Sequence, residues 1–261
     1  MPYNVNLPFL PERTQKPRKT GMTMVMDKGI SLRQAEDLME TGADYIDFIK
    51  LGFGTSVISK NVKEKVKLYQ KNNIKVYVGG TLFEAFIIRD KFDDYVKFVN
   101  EMGLDSAEVS DGSITIDHEK KCEYINKLSK NYTVLSEVGS KEEGVIIHPA
   151  RWIKMMQNEL DAGSHKVIAE ARESGTVGIF HKNGSAHTLL INRIVNKIKL
   201  ENIIWETPQK SQQVYFLKLF GSNVNVGNIA VDDIIPLETL RIGLRGDTFF
   251  TFLPEKFKQT T

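Results

Sequence analysis

The chain has 261 residues, one cysteine and a formal net charge of +2, with 41% apolar and 26% charged residues. That composition fits a soluble globular protein whose core is large enough to stand without staples. It excludes an internal disulfide, gives no bulk basic field for nucleic acid, and holds no run near the ~18 apolar residues of a membrane span. Cys122 sits among Glu119, Lys120, Lys121 and Glu123, a charged helical context that fits packing better than nucleophilic or redox chemistry. Residues 1–20 carry prolines and charges without an apolar signal core. They read as an irregular N-terminal arm on a cytoplasmic protein, and residues 254–261 read as a flexible tail.

From residue 21 to 253 one pattern repeats. A short β-branched or aromatic run leads into a polar or glycine-bearing turn, then into a longer stretch at helical period. The expected strands are Met22–Met26, Tyr45–Leu51, Lys75–Val78, Ser106–Val109, Thr133–Val138, Lys166–Ala169, Ile203–Glu206 and Val224–Asn228. Ser31 before Leu32-Arg33-Gln34 is a capping-box pattern, and Gly42 closes that helix. Pro149 opens a helix over Pro149–Ala162. Leu190, Ile191, Ile194, Val195 and Ile198 make an apolar stripe suited to packing on a sheet. Thr207 is expected to cap the next helix, with Pro208 at its first position and Gly221 at its end. Asp232 and Asp233 open the last one, with Pro236 in or before its first turn.

Strands alternating with helices imply a parallel sheet, and eight such units in about 230 residues imply closure. The expected fold is therefore α/β, a single-domain (β/α)8 TIM barrel. An open doubly wound sheet is the alternative, but Gly52-Phe53-Gly54 lacks the third glycine of a dinucleotide fingerprint.

In such a barrel the chemistry sits at the C-terminal strand ends. Asp27, Glu108, Glu137, Glu170 and Glu206 close five of the strands, while Lys50, Lys141 and Arg172 lie at or just beyond several. Residues two apart on a strand share a side, so Glu108 goes with Ser106 and Ser110, and Glu137 with Leu135 and Gly139. Carboxylates gathered in one mouth repel each other unless a cation joins them or some stay protonated. Oxygen ligands without a His or Cys cluster point to Mg²⁺ rather than zinc. The competing reading is a rim of ion pairs, with Lys50, Lys141 and Arg172 as the partners. A buried ionic ring without a purpose is costly, which disfavours that reading for the set as a whole.

Other segments suit anions. Gly79-Gly80-Thr81 offers backbone N–H groups without side-chain obstruction, although turn geometry alone would also explain the glycines. The helix start at Pro208-Gln209-Lys210 presents a dipole end and a lysine, and Arg241 and Arg245 could reach the same region. The histidines show no metal spacing. His165 falls at the start of a strand, the wrong end for chemistry, and His181 and His187 lie in or next to a loop.

Several of these stretches together resemble the phosphosulfolactate synthase family. They are Asp44-Tyr45-Ile46-Asp47-Phe48-Ile49-Lys50, Gly79-Gly80-Thr81-Leu82-Phe83-Glu84, Glu108-Val109-Ser110-Asp111-Gly112-Ser113, Arg172-Glu173-Ser174-Gly175, Pro208-Gln209-Lys210-Ser211-Gln212-Gln213, and the run from Leu237 to Thr248. The likeness extends from Gly21 to Phe249. It implies a (β/α)8 enzyme, a lyase that adds sulfite to C3 of phosphoenolpyruvate with Mg²⁺, giving (2R)-phospho-3-sulfolactate. In methanogens that is the first step of coenzyme M biosynthesis. It also implies a homo-oligomer whose partners are small anionic substrates, with no nucleic acid and no membrane. On this reading Glu108, Glu137 and Glu170 are the candidate metal ligands. Lys141 is the candidate general acid and Lys50 the second choice, each with a pKa lowered by neighbouring cations. Gly79, Gly80, Thr81, Arg172, Lys210, Arg241 and Arg245 are the candidate anion binders. Two alternatives stay open. One is a diverged enzyme acting on another phosphorylated anion, such as an aldolase with a Schiff base on Lys50. The other is a non-catalytic, stress-associated relative.

Overall fold

The computed structural model describes residues 3–139 and 148–257. The strands are β1 (Thr23–Asp27), β2 (Phe48–Leu51), β3 (Lys75–Val78), β4 (Ser106–Val109), β5 (Thr133–Val138), β6 (Lys166–Ala169), β7 (Ile203–Glu206) and β8 (Val226–Ala230). The helices are α1 (Leu32–Gly42), α2 (Val62–Lys71), α3 (Gly80–Ile87), α4 (Phe92–Met102), α5 (His118–Ser129), α6 (Pro149–Asp161), α7 (Thr188–Val195), α8 (Lys210–Phe220) and α9 (Ile234–Arg241). All strand pairings are parallel, in the order β3-β2-β1-β8-β7-β6-β5-β4. This is a TIM barrel with one seam, between β3 and β4. Side chains bridge that seam: Val76 N–H donates to Asp105 Oδ1 at 2.9 Å, and Gly80 N–H to Glu108 Oε1 at 2.5 Å.

Local chemistry sets the elements. Gln34 N–H donates to Ser31 Oγ at 3.2 Å and Ser31 N–H to Gln34 Oε1 at 2.9 Å, the reciprocal cap that starts α1. Ala35, Leu38, Met39 and Gly42 are the buried residues of α1 and fall on one helical stripe. His148 caps α6 by accepting from Ala150 N–H, with Pro149 at the first position. Each strand sends alternate side chains to two environments. Val25, Ile49, Val76, Ala107, Val134, Val167 and Ile203 join the layer between sheet and helices. Met22, Met24, Phe48, Tyr77, Leu135, Ile168 and Ile204 form a separate cluster that plugs the barrel axis.

Three boundaries differ most from the sequence reading. Ala43–Tyr45 forms a 3₁₀ turn, so β2 begins only at Phe48. Helix α8 begins at Lys210 with Gln209 at its N-cap, so Thr207 and Pro208 lie in the loop before it. β8 is shifted towards the C-terminus, because Asn225 spends its side chain on other strands. It accepts from Met22 N–H at 3.0 Å and donates to the carbonyls of Glu201 and Ile203. Residues 3–21 carry no helix or strand but are pinned to the barrel floor. Arg13 pairs with Glu238 at 2.8 Å and Arg18 with Asp47 at 3.2 Å, all four buried. Among the described residues no helix is long and apolar enough to cross a membrane.

Candidate active site

The axial plug fixes what lies above it. Two residues beyond Phe48, Leu135, Ile168 and Ile204, on the same side of their strands, come Lys50, Glu137, Glu170 and Glu206. Ser106 is followed in the same way by Glu108. All five charged residues are buried, and all line one cavity of about 370 Å³ at the C-terminal mouth. Met26, Gly79, Gly80, Thr81, Arg172 and Asn228 also line it. Lys50 Nζ lies 3.0 Å from Glu108 Oε1, 3.5 Å from Glu137 Oε2 and 3.7 Å from Glu206 Oε1.

Four buried carboxylates thus face one buried ammonium, and their protonation shows the strain. Burial alone would lower the Lys50 pKa. The charges of Glu108, Glu137 and Glu206 outweigh it and hold the ammonium well above the ordinary lysine value. Its described neighbours are carboxylates rather than the cations that would lower it. Burial raises Glu206 to about 7, against the pull of Lys50, and the charge of Glu137 adds to the rise. Glu108 is raised for the same reasons, burial first. A mouth that holds the Glu206 carboxyl partly protonated near neutral pH has too little positive charge for its carboxylates.

Glu137, Glu170 and Glu206 each offer one carboxylate oxygen, and the three oxygens lie within 4.8 Å of one another. No hydrogen bond reaches Glu206 Oε1. Buried oxygen donors at this spacing suit a hard divalent cation such as Mg²⁺. This trio differs from the expected ligand set at one place, with Glu206 where Glu108 was expected. Glu108 Oε1 is held by Lys50 and by Gly80 N–H across the seam, which leaves it only Oε2, while an oxygen of Glu206 lies with those of Glu137 and Glu170. The signal for Glu206 was present in the sequence, since it stands two residues beyond Ile204 at a strand end.

Small residues make room for these acids. A Cβ on Gly80 would come within 2.2 Å of Ser110 Oγ and 2.8 Å of Glu108 Oε1, and one on Gly139 within 2.4 Å of Glu170 Cβ. Gly79 N–H donates to Leu51 O and Gly80 N–H to Glu108, so neither amide is left over for phosphate. The glycines instead admit close packing of charged side chains, and Thr81 stands exposed on the cavity wall. Neighbouring groups brace the loops. Glu84 accepts from Ser110 Oγ and from the amides of Gly112 and Ser113. Lys121, fully buried, pairs with Glu159 at 2.8 Å and Asp111 at 2.9 Å and donates to Glu137 O at 2.6 Å, fixing the end of β5.

Other residues singled out from the sequence are dispersed. Asp27 does not enter the mouth. Its Oδ2 accepts from Lys65 and Tyr69 at 2.6 and 2.9 Å, and its Oδ1 caps the turn at Gly29 and Ile30. Arg241 is fully buried at the opposite end of the barrel. It donates to the carbonyls of Ser222, Val224 and Met22 and so cannot serve as an anion binder in the mouth. Lys210 pairs with Asp247 at 2.9 Å on the surface, and neither it nor Arg245 lines the cavity. Arg172 is exposed at the rim in a left-handed conformation, φ 57°, with its N–H donating to Glu170 Oε1 at 2.7 Å. Lys141 lies outside the described residues.

The geometry agrees with what the chain is similar to. The solved structure of 3-hexulose-6-phosphate synthase from Salmonella typhimurium matches with a TM-score of 0.52 at 15% identity, covering 84% of this chain and 99% of that one. That likeness is one of fold. Curated relatives are much nearer. Phosphosulfolactate synthase from Methanothermobacter thermautotrophicus is 43% identical, over 91% of this chain and 95% of the relative. The Bacillus subtilis protein of the same name is 38% identical, over 92% and 97%. The model of the family described as (2R)-phospho-3-sulfolactate synthase (ComA) matches residues 11–247. With its barrel, its ring of acids and this match over most of its length, the chain belongs to the (2R)-phospho-3-sulfolactate synthase family.

Proposed function

We propose that this chain adds sulfite to phosphoenolpyruvate, giving (2R)-phospho-3-sulfolactate, with Mg²⁺ held by Glu137, Glu170 and Glu206. The observation that carries the reading is that buried trio beside Lys50, in a protein of this family. Sulfur forms a bond to C3, the C2=C3 π pair moves to C2 and its carboxylate, and C2 then takes a proton. Both reactants are anions, and even in water two unit like charges ~4 Å apart repel by about 1 kcal/mol. Acceleration must therefore come mainly from neutralisation and positioning. Bound Mg²⁺ supplies positive charge for the carboxylate on which negative charge builds. Lys50 adds a fixed ammonium on the same wall. Its raised pKa keeps it charged, so it acts first as an electrostatic partner. It becomes a better acid only once a cation engages the carboxylates around it. Lys141, two residues beyond Gly139, is the other candidate donor to C2. Arg172 offers a guanidinium fork at the rim for sulfite or phosphate, and Thr81 an exposed hydroxyl on the wall. The protein is further proposed to work in the cytoplasm as a homo-oligomer.

The test is direct. Purified protein is mixed with phosphoenolpyruvate and sulfite, with Mg²⁺ or with EDTA. Mg²⁺-dependent loss of both reactants and appearance of phosphosulfolactate support the reading. No turnover in Mg²⁺ refutes it.

A further inference from the structure

β8 contains a bulge at the mouth. Its register against β1 shifts between Thr23, which faces Val226, and Val25, which faces Ile229, so β8 holds one residue more than β1 over the same span. Asn228 lies in that stretch with φ 56°, a left-handed conformation uncommon inside a strand. Its side chain is 93% buried (relative exposure 7%) and lines the cavity beside the carboxylate trio. Oδ1 is buried without a hydrogen bond. Asn228 is the only residue on the cavity wall, among those described, that combines strained backbone with a buried amide oxygen the protein leaves unsatisfied. Each feature is costly, and a bulge beside a site commonly serves to re-aim a side chain.

We propose that Asn228 binds substrate directly, its carboxamide N–H₂ donating to an anionic oxygen of phosphoenolpyruvate. The proposal rests on the function proposed above. A donor is the end of the amide the site lacks. The surrounding carboxylates are acceptors once a cation engages them, and an uncharged donor meets an anion without adding to the charge that Lys50 and a cation already balance. With Oδ1 held by no protein donor, the amide is free to present its N–H₂ to the ligand.

A purely conformational role offers a rival explanation, since asparagine tolerates left-handed backbone well. Asn228→Gly separates the two. Glycine accepts this φ without strain, so its melting temperature should stay within about 3 °C of the parent. Its KM for phosphoenolpyruvate should rise at least about tenfold, the loss of one hydrogen bond to a charged group. The Mg²⁺ dissociation constant, read by calorimetry without substrate, should stay within about threefold, because the amide is on the substrate and not on the metal. Asn228→Asp keeps shape and backbone tolerance but puts an anion where the donor was, so its KM should rise further than that of the glycine variant. A parent-like KM in Asn228→Gly, or a Mg²⁺ affinity that falls in step with KM, overturns the proposal. If the parent enzyme itself shows no turnover of phosphoenolpyruvate with sulfite, the functional reading fails instead, and the two failures are distinguishable.

Discussion

Glu206→Gln gives the sharpest test of the electrostatics. In the parent protein burial holds the Glu206 carboxyl at about 7, against an ordinary value of 4.5. The folded state therefore keeps a proton that the unfolded chain has released between those two values. Stability must fall as pH rises through that window and level off above it, because the native state binds more protons there. That rise in the Glu206 pKa sets a ceiling of roughly 3 kcal/mol on the cost of ionising this group in the fold. Glutamine keeps the shape, and its amide oxygen can still accept from Ala171 N–H, which lies 2.9 Å from Glu206 Oε2. In EDTA the variant should match the parent near pH 4.5 and exceed it by up to about 3 kcal/mol at pH 8, or roughly 6–12 °C in melting temperature for a chain of this size. Mg²⁺ should reverse the order. It should raise the melting temperature of the parent at pH 8 by mass action while leaving the variant, which has lost one of three ligands, nearly unmoved. Thermal melts at pH 4.5, 6 and 8, with and without Mg²⁺, provide the readout. A difference between variant and parent that is the same at all three pH values, or a variant less stable than the parent at pH 8 in EDTA, would refute the reasoning.

The remaining predictions concern three basic residues. Lys50→Met should cost about 3–5 kcal/mol of stability at pH 8 by leaving buried carboxylates without their cation, with a smaller loss at pH 5.5, where they can protonate. Urea denaturation at the two pH values tests this, and a pH-independent loss would contradict the ion-pair account. Lys141→Ala should lower kcat by orders of magnitude without altering the melting temperature. Near-normal turnover would remove Lys141 from the mechanism. Arg241→Met should destabilise the protein, by roughly 1–3 kcal/mol for each backbone acceptor left buried and unpaired. At temperatures where that variant stays folded, its KM for phosphoenolpyruvate should match the parent's, and a selective rise in KM would return Arg241 to the site.

The strand-helix rhythm and the acid ring were both legible in the sequence, because both are local periodicities. Every strand was placed within a few residues, and the two-residue spacing of Leu135 with Glu137 or Ile204 with Glu206 already put apolar plug and acid on one side. Sequence could not rank the acids. Asp27 and Glu206 both close strands, but Lys65 and Tyr69 on α2 claim Asp27, while Glu206 keeps an oxygen free of hydrogen bonds. Nor could it place Arg241, since which end of the barrel a helix residue reaches depends on where α9 docks. The pKa of Lys50 depended on partners 58, 87 and 156 positions away, at Glu108, Glu137 and Glu206. The bulge at Asn228 arises from a register between strands at opposite ends of the chain. Periodicity along the chain determined the barrel and the polarity of its mouth. Long-range packing decided which charges meet there, because Coulomb and desolvation energies depend on distances in space that no spacing along the chain records.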